Sequence, residues 1–144
     1  TRVLGTEFNL RSIDTEEYIE LTLVEGKVMF TDIRNKDSKT LEKEEIVKLN
    51  KKNRKLVKVK ATNKNHLYWK TKEINLDGLS LIEIADELNT VFGTEIEVNE
   101  PIMQTIYYQS LPFKNTDVED ILNIIKFTLD LEIDSVDNKI ILKK

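Results

Sequence analysis

Catalytic chemistry has few places to reside in this 144-residue sequence. Cysteine is absent and His66 is the single histidine. Those two counts exclude disulfides, thiolate metal sites, cysteine nucleophiles, a histidine zinc cluster and any triad that needs a second histidine. Glu7 and Glu25 are the carboxylates that invite an acid–base reading. With 26 acidic residues, chance carboxylate pairs are certain, so counts alone do not exclude a glycosidase. Yet Glu25 reads as a turn residue beside Gly26, and Glu7 as a solvated strand residue. Four glycines form no phosphate-cradling loop, and no Asp/Asn spacing suggests a calcium loop. The reading assigns no catalytic residue, no metal ligand and no organic cofactor.

Recognition has more material. Lys48, Lys51, Lys52, Arg54, Lys55, Lys58 and Lys60 form a basic run that suggests nucleic acid. No aromatic interleaves in that run, and the whole chain is acidic, with net charge −4 and pI ≈ 5.2. The run therefore reads as the wet face of a strand, particularly an edge strand, and nucleic acid is not expected as a partner. Leu67, Tyr68 and Trp69 suit packing between two domains, and His66 beside them reads as an exposed linker residue. Ile106, Tyr107, Tyr108 and Gln109 lie within Thr105–Leu111, an apolar, aromatic stretch without formal charge. Adjacent residues of a strand face opposite sides, so one tyrosine is expected in the core and the other in solvent. The stretch reads either as ordinary sheet packing or as an edge open to a partner strand.

The elements that position these residues follow from periodicity. In the first half Phe8 and Leu10 alternate with Asn9 and Arg11, Ile19, Leu21 and Leu23 with Glu20 and Thr22, and Val57, Val59 and Ala61 with Lys58 and Lys60. Period two predicts strands with one buried face. Gly26 separates the run ending at Val24 from Lys27–Phe30, as a hairpin turn with φ > 0 requires. Polar breaks follow at Arg34–Lys39 and Asn50–Arg54. The expected architecture is an all-β antiparallel sandwich or roll over residues 1–70.

The second half changes period. Leu81, Ile84, Ala85, Leu88 and Phe92 share a helix face, opened by a Ser80/Glu83 capping box and stopped at Gly93. Thr116/Glu119 repeats the capping signal ahead of Val118, Ile121, Leu122, Ile125 and Leu129. Strand signals flank both helices at Glu73–Leu76, Glu95–Asn99, Thr105–Phe113 and Leu131–Val136. Asp137-Asn138 then turns the chain into Ile140–Leu142. The order is βαβ-βαββ over residues 71–144, a pseudo-repeat with two helices expected on one face of a small sheet. The predicted class is thus α+β. The charge switches with the period: residues 1–70 carry 16 Lys and Arg against 11 Asp and Glu, and residues 71–144 carry 6 against 15. No stretch approaches the ~20 apolar residues of a membrane span. The first residue is Thr1, and an N-terminal portion carrying any anchor is expected to be missing.

Three motifs together resemble the FecR family of transmembrane regulators. Gly5-Thr6-Glu7-Phe8-Asn9-Leu10-Arg11 is similar to the family's glycine-led strand. Leu23-Val24-Glu25-Gly26-Lys27-Val28 is similar to the hairpin that follows it. Trp69, then Phe113-Lys114-Asn115 entering a helix, resemble the family's C-terminal module, which is related to the short N-terminal domains of secretins and TonB-dependent receptors. Leu41-Glu42-Lys43-Glu44-Glu45 departs from the family pattern, since it holds neither the proline nor the glycine of the usual turn there. The resemblance implies an anti-sigma regulator on the periplasmic side of the inner membrane. Such a protein relays a signal from an outer-membrane TonB-dependent receptor to an extracytoplasmic-function sigma factor. The sigma-binding segment and the single membrane helix would lie outside these residues. Two other readings stand beside it: a structural module of a secretion or transport complex, and a small carbohydrate-active enzyme.

Overall fold

A computed structural model describes residues 5–144. The chain divides into two compact units, Thr1–Thr62 and Asn63–Lys144. Helices and largely antiparallel sheets together make the fold α+β.

The first unit is all β. Strands β1 (Glu7–Ser12), β2 (Tyr18–Glu25), β5 (Glu45–Asn50) and β6 (Leu56–Lys60) form an antiparallel sheet in the order β1-β2-β5-β6. Strands β3 (Val28–Asp32) and β4 (Asp37–Leu41) pair as a separate ribbon. The ribbon and one sheet face enclose Leu21, Leu23, Val28, Leu41, Val47, Leu49 and Leu56. The polar stretch expected as a break at Arg34–Lys39 is in part strand β4, and Lys36 takes φ 56° in the turn before it.

Gly26 sits at φ 90°, between β2 and β3, and a Cβ there would stand 2.8 Å from Thr6 Oγ1 and 3.2 Å from the Gly5 carbonyl. The glycine-led strand and the hairpin glycine are thus one contact. The departing turn solves its geometry without glycine: Glu44 takes φ 67° and donates its N–H to the Leu23 carbonyl at 3.0 Å.

Two strands do not bury the side that their alternation suggests. Paired residues share a face, and β6 places Leu56 opposite Leu49 and Lys58 opposite Val47. Leu56 is therefore the core residue of β6, while Val57 and Val59 are 40% and 41% exposed on the opposite face. Lys58 stays on the core side by running its stem to the margin, where Nζ reaches Glu45 Oε2 at 3.1 Å and the Thr40 carbonyl at 3.3 Å. In β1, Phe8 and Leu10 do face the core side, opposite Leu23 and Leu21, yet remain 38% and 53% exposed.

The ribbon is tied down by one buried ion pair. Asp32 is 1% exposed, and Arg54 holds both of its oxygens, Nε donating to Oδ2 at 3.1 Å and Nη2 to Oδ1. The Arg34 N–H adds a third bond at 3.2 Å. Arg54 itself takes φ 59° in the β5–β6 turn. The rest of that basic run is also occupied in part: Lys48 pairs with Glu20 at 3.0 Å, and Lys51 donates to the Ile13 carbonyl.

The second unit has one core fed by two sheets and two long helices. In order it contains α1 (Tyr68–Thr71), β7 (Glu73–Ile74), α2 (Leu81–Phe92), β8 (Ile96–Val98), β9 (Phe113–Lys114), α3 (Val118–Leu129), β10 (Glu132–Val136) and β11 (Lys139–Lys143). The strands do not share the single sheet expected from sequence. β7 pairs with β9, while β10, β11 and β8 form a second sheet in that order. Leu81, Ile84, Ala85 and Leu88 of α2 and Ile121, Leu122 and Ile125 of α3 fill the core with Ile74, Leu76, Ile96, Val98 and Leu142.

The repeat is visible in the helices, which are each 12 residues long and end on left-handed residues at matching positions, Gly93 and Asp130. The second helix starts one residue later than the Thr116/Glu119 signal suggests. Asp117 is its N-cap, accepting from Asp120 N–H at 2.9 Å, and Thr116 turns its hydroxyl back to the Lys114 carbonyl. Residues 63–75 are held by Asn65, 2% exposed, whose side chain bonds the backbone of Asn75 at both ends and Glu87 Oε2 at 3.1 Å.

Two outcomes follow for the first unit. Gly26→Val should lower stability by about 2 kcal/mol or more, from the positive φ and the Thr6 contact combined, read as a fall in melting temperature. The Arg54 hydrogen bonds, against the cost of burial, hold the Asp32 carboxyl below its ordinary range. Its contribution is complete above the unfolded carboxylate value of about 3.9 and is lost as pH falls through the lower folded value. Denaturant melts across that acid range should show a steeper loss for the native protein than for Asp32→Asn.

Candidate partner-binding edge

The stretch 105–109 is organised by the chain it lies against. Leu81 N–H donates to the Thr105 carbonyl at 2.9 Å, Tyr107 N–H to the Leu79 carbonyl at 2.9 Å, and Gly78 N–H to the Tyr107 carbonyl at 2.8 Å. These bonds flank a Ser80–Ile106 bridge that is antiparallel. The pair Ser80–Ile106 is therefore of the non-hydrogen-bonded kind, and the Ile106 N–H and C=O point away from the ribbon.

Those same bonds begin helix α2. The first amides of a helix have no partner within it. Here Leu81 N–H is taken by Thr105 and Ile82 N–H by the Met103 carbonyl at 3.1 Å. Ser80 and Glu83 complete the start as a capping box. Ser80 Oγ and N–H both bond the Glu83 carboxylate, at 2.6 and 2.8 Å, and hold it below its ordinary range.

Side chains sort by the same alternation. Tyr107 is buried at 3% exposure, and burial pushes its phenol above its ordinary value. Ile106 is 39% and Tyr108 73% exposed on the other face. Among the described residues, the N–H and C=O groups of Ile106 and Tyr108 make no hydrogen bond. The result is a short open edge with two outward peptide groups and two outward side chains.

Gln109 closes the edge. Its N–H donates to Asp77 Oδ1 at 2.9 Å, its Oε1 accepts from Leu76 N–H at 3.3 Å, and its Nε2 donates to the Leu111 carbonyl at 2.6 Å. This side chain replaces ladder bonds, and Pro112 has no N–H to give. The continuous strand expected over Thr105–Phe113 is therefore a bridge at Ile106, a bend at Ser110-Leu111 and strand β9.

The other residues singled out from sequence lie elsewhere. Gly5, Phe8 and Gly26 belong to the first unit. Tyr68 packs on Phe92 at 5.0 Å between ring centroids, inside the second unit, while Trp69 is 41% exposed. His66 is half-buried, with Nδ1 2.7 Å from the Asn63 carbonyl. Glu7 and Glu25 face each other across β1 and β2. Among the described residues no group of three or more His, Cys, Asp or Glu side chains is placed to hold a metal ion. Sequence reasoning missed Asp77 as the anchor of Gln109, and a lone aspartate before a glycine gave no signal for that role.

Comparison with known proteins adds a family match for the second unit. Residues 73–142 match the model described as FecR, C-terminal. The match lies within the second unit and supports the FecR-type resemblance read from the sequence. Two crystal structures of a protein from Parabacteroides distasonis ATCC 8503, provisionally assigned as an anti-sigma factor, are similar at TM-scores of 0.59 and 0.57, each with 19% identity. Both cover 99% of this chain, which in turn spans just under two thirds of their length, 66% and 65%. At this identity the likeness speaks for the fold. A comparison with curated proteins finds no match.

The two tyrosines should separate in a stability measurement. Tyr107→Asp is expected to cost about 3 kcal/mol or more, because it empties a filled core position and buries a carboxylate. Tyr108→Asp should stay within about 0.5 kcal/mol of the native protein. Urea melts followed by circular dichroism check both.

Proposed function

We propose that the chain is the periplasmic, receptor-facing part of a FecR-type anti-sigma regulator. In this reading a first, FecR-like β domain carries a C-terminal module akin to the short N-terminal domains of secretins and TonB-dependent receptors. A TonB-dependent outer-membrane receptor presents its signalling domain to this module. The signal passes through a membrane helix to a cytoplasmic segment that holds an extracytoplasmic-function sigma factor, both outside these residues. The protein works by binding and not by catalysis. The observation that carries the reading is the FecR C-terminal match over residues 73–142. No helix among the described residues is long and apolar enough to cross a membrane, which is compatible with a part lying on one side of it.

The module offers a mode of contact. A strand of the partner adds to the edge at Ile106 and Tyr108, where unpaired peptide groups supply affinity and the outward side chains supply selection. Tyr107 and Gln109 hold that edge in place from behind. The second unit carries 8 Lys and Arg against 15 Asp and Glu, so a basic strand is steered towards it.

Titration of the 144-residue protein with the signalling domain of its cognate receptor, followed by residue-resolved NMR, tests this. Shifts should concentrate on residues 105–111, Tyr108→Asp should weaken binding while leaving the fold intact, and added salt should slow association. Binding with shifts that avoid residues 105–111 and their neighbours removes the edge mode. Absence of binding at about millimolar concentration, where even weak complexes form, removes the relay.

A further inference from the structure

Helix α3 carries an apolar stripe on the side it turns to water. Its core side is complete without that stripe: Ile121, Leu122 and Ile125 are buried, and Val118 and Leu129 pack against the core. Ile124 and Phe127 belong to neither group and are 44% and 81% exposed. At 3.6 residues per turn, Asp120, Ile124 and Phe127 fall on one line along the helix, away from its buried side. The helix itself does not call for them. Isoleucine and phenylalanine are poorer helix formers than the alanine, glutamate or lysine that usually fill exposed positions.

The other half of the pseudo-repeat shows what the fold needs there. Leu81 and Val118 open two helices of equal length, so Glu87 of α2 corresponds to Ile124 and Thr90 to Phe127. Glu87 accepts from Asn63 Nδ2 at 3.0 Å and from Asn65 Nδ2 at 3.1 Å. A helix of this unit thus fills its core with polar residues at both positions, and the apolar pair is peculiar to α3.

Carboxylates bracket the stripe. Asp117, Glu119 and Asp120 stand at the start of α3 and Asp130 at its end, and Lys126 is the one lysine or arginine in residues 117–130. Helix polarity accounts for the acids of the first turn but not for an aspartate at the C-cap. These charges select the occupant. Two copies of the chain related by a two-fold axis would set α3 on α3 either start against end or start against start, and both place carboxylates on carboxylates. An anionic lipid surface meets the same repulsion. A partner with cations beside an apolar row meets attraction. A helix surface offers no free peptide groups, so the contact is between side chains, and the element with an apolar row and cationic margins is an amphipathic helix.

We propose that the outward stripe of α3 is a docking face for a basic amphipathic helix of another protein, with Phe127 as the anchor that enters the partner's apolar row. An aromatic side chain that passes from water to full burial is the usual form of such an anchor. Ile124 widens the apolar contact, and Asp120 and Asp130 receive the partner's cations at the two ends. This face is built from other residues than the edge at Ile106 and Tyr108, and its occupation does not depend on the relay.

Titration of the 144-residue protein with a synthetic leucine–lysine peptide, amphipathic at the helical period, tests this by residue-resolved NMR. Shifts should concentrate on residues 119–130. Phe127→Ser should weaken binding by about tenfold or more, and Phe127→Lys, a better helix former, should do the same. Asp120→Asn should weaken it less, and the peptide with glutamate in place of lysine should not bind. The melting curves of these variants should match the native one, because both side chains are exposed. Absence of binding at about millimolar concentration overturns the proposal. So does binding that both Phe127 variants leave unchanged, or equal binding of the glutamate peptide. It is also overturned if the protein self-associates, or binds vesicles of phosphatidylethanolamine and phosphatidylglycerol, in a way that Phe127→Ser abolishes, since the occupant is then a second copy or a lipid surface.

Discussion

The antiparallel contact between residues 76–82 and 103–109 is the interaction on which the second unit depends. It supplies partners to the first two amides of α2, and those are groups no helix satisfies by itself. It places Tyr107 in the core, which the apolar stripes of both helices complete. Because an antiparallel ladder uses alternate peptide groups, committing Thr105 and Tyr107 inward commits Ile106 and Tyr108 outward. The open edge is therefore a consequence of how the helix is started. Sealing the edge by a register shift of one residue would move Tyr107 out of the core and uncap α2 at the same time.

In the first unit the corresponding constraint is electrostatic. Asp32 is buried at the end of β3, and a carboxylate in that position is tolerable only with its hydrogen bonds met. Arg54 meets them from the β5–β6 turn, with a planar fork that a lysine could not supply. The pair thereby ties the β3–β4 ribbon to the β5–β6 turn.

Much of this was legible in the sequence. The two helices, the Ser80/Glu83 box, the glycine turn at Gly26 and the Asp137-Asn138 turn all follow from local rules, and local rules suffice where a contact spans only a few residues. Both turn residues take positive φ, at 48° and 67°, as a tight hairpin requires. The faces of β1 and β6 were not legible. Alternation says that two faces differ; which of them is covered depends on a layer arriving from elsewhere in the chain, here β3–β4. Val57 and Val59 illustrate the ambiguity, since the strand's core residue is its neighbour Leu56. The edge was partly legible. Its composition singled out Ile106–Gln109, but the break at Ser110 depends on the Gln109 side chain bonding Leu76, which is 33 residues away.

An edge of two outward residues would bind weakly by itself, and that fits the relay proposed above. Two ladder positions add only a few hydrogen bonds, each worth about 1 kcal/mol net of what water already provides. In the proposed mode these peptide groups give a small base affinity, to which Tyr108 and steering by the acidic surface add. A longer edge would bind more tightly and would also pair with any unfolded strand nearby. Gln109 ends the edge by turning its side chain into the place of a ladder partner, and Pro112 prevents its renewal before β9. In the proposed mode, an edge this short leaves the identity of the partner, and not the backbone alone, to decide whether a complex forms.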